Sequence, residues 1–62
     1  MIRTNYRVTG YGPQGERLFS VVVEAVSPTD AELMAFVQLR KRPDGAALTQ
    51  RASRIETESV GP

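Results

Sequence analysis

The hydrophobic pattern of this chain changes period most clearly at Ser27-Pro28-Thr29-Asp30, and that change governs what the chain can fold into. Upstream, apolar residues alternate. Downstream, they recur at helical spacing. Over residues 4–11, Tyr6 and Val8 point one way and Asn5, Arg7 and Thr9 the other, as in a half-buried strand. Gly12-Pro13-Gln14-Gly15-Glu16 is dense in turn formers and closes a hairpin. Residues 17–26 form a second strand rich in β-branched side chains. Phe19, Val21, Val23 and Ala25 make a wholly apolar face, assigned to the core; Leu18, Ser20, Val22, Glu24 and Val26 lie opposite.

Ser27 suits an N-cap, because its hydroxyl accepts from a free amide of the first turn. Pro28 fits the first helical position, where its missing N–H costs nothing. Asp30 favours the positive helix end and stands in for the acid of a capping box. The helix is expected over 28–42 and stops at Pro43-Asp44-Gly45. Residues 46–60 read two ways. Leu48, Ala52 and Ile55 fall at helical spacing, whereas 51–57 alternate weakly as a strand. A two-stranded hairpin under one helix is marginal alone, which favours a third strand over about 50–58. A right-handed crossover then places it beside the first strand. The expectation is one small α+β domain over 1–62: ββαβ, an antiparallel sheet of order 2-1-3 with one helix on one face. Gly61-Pro62 are expected to fray.

A chain of 62 residues builds only a marginal core and usually needs a staple. With no Cys and no His, disulfides, thiolate metal sites and the commonest zinc ligands are excluded, and the acids are scattered. No metal or cofactor is expected; tight packing or self-association remains. The absence of Cys fits a reducing compartment. The chain opens directly on a strand-like pattern with no secretory signal, and its longest apolar run, Val21-Val22-Val23, is far too short to span a membrane. A soluble, cytoplasmic protein without membrane contact is expected.

The helix carries more apolar surface than one sheet needs. Ala31, Met34 and Ala35 share one face; Leu33, Phe36 and Val37 share another. The small residues of the first suit close approach to the sheet. The second is either covered by the C-terminal segment or forms an interface, for a homodimer or for another protein. Leu33, Phe36, Val37 and Arg40 are the candidate protein contacts.

Catalysis reads poorly. The common general base and the strongest nucleophile are missing, and the serines lack an evident base. The single lysine, Lys41, lies between Arg40 and Arg42 at a helix C-terminus, where a cation is simply favourable. Gly10-Tyr11-Gly12-Pro13-Gln14-Gly15 joins two strands and opens no helix, so it is a hairpin loop rather than a phosphate cradle. A non-enzymatic protein with no small-molecule substrate is expected. For a nucleic acid or an acidic partner, the candidate contacts are Arg7, Arg40, Lys41, Arg42, Arg51 and Arg54, with Arg3 and Arg17 on the sheet side. Tyr6, Tyr11 and Phe19 would stack on bases if they faced outward. The net charge of only +1 weighs against that reading.

The stretch Tyr6-Arg-Val-Thr-Gly10, with Phe19-Ser-Val-Val-Val-Glu-Ala-Val-Ser-Pro-Thr-Asp-Ala-Glu-Leu-Met-Ala35, resembles two kinds of small ββαβ protein over about half the chain. One is the ribosomal large-subunit LX family, and that resemblance implies a basic patch meeting rRNA. The LX family's Gly-Ser-Lys-His stretch is replaced here by Arg42-Pro43-Asp44-Gly45. The other is the short coliphage inhibitor of host RNA polymerase, and that resemblance implies contact through arginines of the last strand, where Arg51 and Arg54 lie. The expected function is a protein-binding module, most concretely a phage or mobile-element inhibitor or adaptor that binds a larger host protein. The alternative is a small RNA- or DNA-binding accessory protein.

Overall fold

The computed structural model describes residues 2–61. Its elements run β1 (Thr4–Tyr11), β2 (Arg17–Ala25), α1 (Pro28–Arg40), α2 (Gly45–Arg51) and β3 (Arg54–Gly61). The three strands form one antiparallel sheet of order β2-β1-β3, with the helices packed on it. The hairpin closes where the sequence places it. The Gly12 N–H donates to the Glu16 carbonyl at 2.8 Å, and Gly15 turns the chain with φ +81°.

The register explains the layering. Val8 opposes Val21 on one side and Thr57 on the other; Tyr6 opposes Val23 and Ser59; Gly10 opposes Phe19 and Ile55. This row faces the helices. Val8, Phe19, Val21, Val23 and Ala25 are buried there against Ala31, Ala35 and Leu39 of α1. Ala31 and Ala35 carry only methyl groups, so α1 lies close on the sheet, chiefly over β2. Gly10 leaves room for the Phe19 ring; a Cβ there would run into it.

Helix α1 begins as expected. The Ser27 hydroxyl accepts from the Asp30 N–H at 3.1 Å, and Pro28 holds the first position. It ends at Arg40 rather than Arg42; the Lys41 N–H donates to the Gln38 carbonyl at 3.2 Å and the Arg42 N–H to the Leu39 carbonyl at 2.9 Å. The C-terminal segment differs more. A second helix, α2, precedes the third strand, which starts at Arg54 and extends through Gly61; Pro62 lies outside the described residues. Leu48 in α2, Ala52 just after it and Ile55 in β3 all pack against the core. The helical spacing of Leu48 and Ala52 was therefore real, and it ended before Ile55, where alternation takes over. Gly45 makes the α1–α2 corner tight, because a Cβ on it would collide with the Leu39 carbonyl.

Candidate protein-binding surface

The side chains on α1 divide into three strips. Ala31, Ala35 and Leu39 face the sheet and are fully buried. Leu33 and Val37 lie on the outer side, 61% and 51% exposed. Phe36 occupies an intermediate position. It is half-buried against the core and, with Arg40 and Thr49, lines a cleft of about 270 Å³ between α1 and α2. The four candidate contacts thus do not form one equivalent patch. Leu33 and Val37 are open, Arg40 flanks them, and Phe36 belongs partly to the core. Met34 departs from its assignment to the sheet-facing side and is 40% exposed. Rotation about the helix accounts for this. Met34 precedes Ala35 by one residue, a turn of about 100°, so the two cannot share a narrow contact strip.

The candidate basic residues separate by electrostatics. Arg7 and Arg54 lie on the sheet face away from the helices. The Arg7 guanidinium meets the Glu58 carboxylate at 3.1 Å, and Arg54 meets Glu56 at 3.3 Å. Arg3 approaches Glu24 at 3.9 Å on that same side. The Arg54 guanidinium also lies 4.6 Å from the centre of the Tyr11 ring. Tyr11 therefore already has a cation on its face. Phe19 is buried and Tyr6 is packed against the core, so neither is an open stacking platform. Arg40, Lys41, Arg42 and Arg51 enter none of the ion pairs formed among the described residues. Arg40, Lys41 and Arg42 follow one another at the C-terminal end of α1, and Arg51 lies in the last turn of α2.

The signal that separates the two groups was present in the sequence as β3 alternation. Arg54, Glu56 and Glu58 occupy one face of β3, and the antiparallel register sets Glu58 opposite Arg7 and Arg54 opposite Tyr11. No group of three or more potential metal ligands occurs among the described residues, and no helix is long and apolar enough to cross a membrane. No family model, curated protein or solved structure matches this chain.

Proposed function

We propose that this chain is a non-enzymatic protein-binding module that docks on a larger protein through the outer side of α1. In its most concrete form it is a cytoplasmic inhibitor or adaptor of the kind phages and mobile elements encode. The observation that carries this reading is the pair of open aliphatic side chains, Leu33 and Val37, bordered by Arg40, which enters no ion pair among the described residues. Large apolar side chains held out on a regular helix, with cations at the rim, suit a surface with an apolar groove and an acidic edge. Such a contact is carried by apolar burial and responds little to salt. The test is capture from lysate by the tagged chain, compared with L33E and V37E. A prey retained in high salt by the parent and lost from both variants supports the reading. A prey captured equally by all three refutes it, and loss of a dimer in place of a foreign prey would assign the stripe to a second copy.

The second reading, binding to RNA or DNA, is favoured by one observation: Arg40, Lys41, Arg42 and Arg51 enter no ion pair among the described residues. Arg7 and Arg54 add little to it, since each is already neutralised by a glutamate. Each phosphate contact would steepen the log–log salt dependence by about 0.9, so a four-cation footprint gives a slope near −3.6. A slope near zero rules this reading out.

A further inference from the structure

The sheet has two edges, and the chain treats them differently. The β3 edge carries Arg54, Glu56 and Glu58, a row of charge of the sort that keeps another strand from pairing. The β2 edge is charged only toward its ends, at Arg17 and Glu24. Between Phe19 and Val23 it presents Ser20-Val21-Val22, with no proline and no charge, and Val22 is 57% exposed. Its ladder irregularity lies at the hairpin end, opposite Gly10 and Tyr11, and leaves the rest of the edge regular. A groove of about 270 Å³ runs beside it, bounded by Ser20, Val21 and Val22 on the strand and by Gln38 and Arg42 at the end of α1. Met34 lies one turn back from Gln38 on the same side of the helix and is 40% exposed.

Charge along this edge is positive. The Glu24 carboxylate faces Arg3, and the Asp30 carboxylate accepts from the Val26 N–H at 3.4 Å. Arg42 beside the groove and Arg17 at the end of β2 enter no ion pair among the described residues. A second copy of the chain paired about Val21 would bring two Arg42 side chains together, which disfavours self-pairing.

We propose that the β2 edge is a strand-addition site: it takes an extended internal segment of another protein, main chain on β2, with an acidic side chain over Arg42 and an apolar one against Met34. Main-chain bonding supplies the affinity and Arg42 the selectivity. This surface is separate from the Leu33–Val37 stripe, and either stands without the other.

The test uses the whole chain and two capped peptides long enough to span β2, with Thr at every second position and Val along the other row except at one central position, which is Glu in one peptide and Lys in the other. The expected result is binding of the Glu peptide with slowed amide exchange in β2 and not in β3, and weaker binding of the Lys peptide by roughly tenfold or more. Arg42→Glu should reverse that preference, while V37E leaves it unchanged and so keeps this site distinct from the helical stripe. Equal binding of both peptides, no binding at millimolar peptide, protection of β3 instead, or unchanged preference in the folded Arg42→Glu variant would each overturn the proposal. Self-association that protects the same β2 amides without peptide would overturn it as well.

Discussion

Gly45 and Leu39 meet at the point where the chain turns from one helix into the next. Leu39 is the largest fully buried side chain along with Val8, and its carbonyl occupies the space a Cβ on Gly45 would need. In an open helix, replacing glycine with alanine gains roughly 0.5–1 kcal/mol through backbone entropy. Here the added methyl meets backbone, which cannot rotate away, and overpacking of this kind costs about 1–3 kcal/mol. The clash therefore wins, and Gly45→Ala should lower the urea midpoint; a raised midpoint would show that the corner opens freely. The same logic at Gly10 involves a side chain, since a Cβ there meets the Phe19 ring. That ring is hemmed in by the core, so alanine at position 10 is also expected to destabilise. Neither requirement is visible in the sequence, where both glycines look like ordinary turn or strand punctuation. What a Cβ would strike is set by residues that only the folded chain brings close.

The two helices start by different means. At α1 the Ser27 hydroxyl accepts from the Asp30 N–H, whereas Asp44 precedes α2 without any side-chain cap bond. Ser27→Ala should cost about 1 kcal/mol, and Asp44→Ala only a few tenths. Chemical denaturation of both variants checks this; equal losses would mean that the Ser27 bond contributes nothing. The contrast also explains which elements could be read from sequence. β1, β2 and α1 carry strong local signals: alternation, a Gly-Pro turn, and a Ser-Pro-Thr-Asp start. α2 carries none. It has seven residues, begins on a glycine and lacks a side-chain cap, so it exists through packing of Leu48 on the core rather than through propensity. A short helix held by tertiary contact followed at once by a strand presents two periods within a dozen residues, and each blurs the other. The 2-1-3 strand order was nonetheless legible, because connection rules depend on the crossover and not on whether it contains one helix or two.

For the whole molecule, the deciding quantity is how little stability there is to lose. At the usual 0.05–0.15 kcal/mol per residue, a chain of 62 residues holds roughly 3–9 kcal/mol. No disulfide adds to it, and the ion pairs on the open sheet face are exposed pairs of the sort that contribute at most about 1 kcal/mol each. Packing of the central cluster must supply nearly all of it. The surface reading from sequence treated Leu33, Phe36 and Val37 as equivalent, since periodicity gives an angle around the helix and not the position of a neighbouring element. α2 supplies that missing neighbour: its Thr49 faces Phe36 across the cleft, and Phe36 packs against the core while Leu33 and Val37 stay open. Phe36→Glu and Val37→Glu, adjacent and chemically alike, are therefore expected to behave differently. The first removes a half-buried ring and places a carboxylate against apolar surface, a loss of about 2 kcal/mol or more. The second changes an exposed site, where substitutions usually fall within about 0.5 kcal/mol. Far-ultraviolet circular dichroism through a urea titration should show an early transition for Phe36→Glu and a near-parental one for Val37→Glu. Coincident curves would mean that α2 does not hold Phe36 against the core, and the two residues would then belong to one open interface.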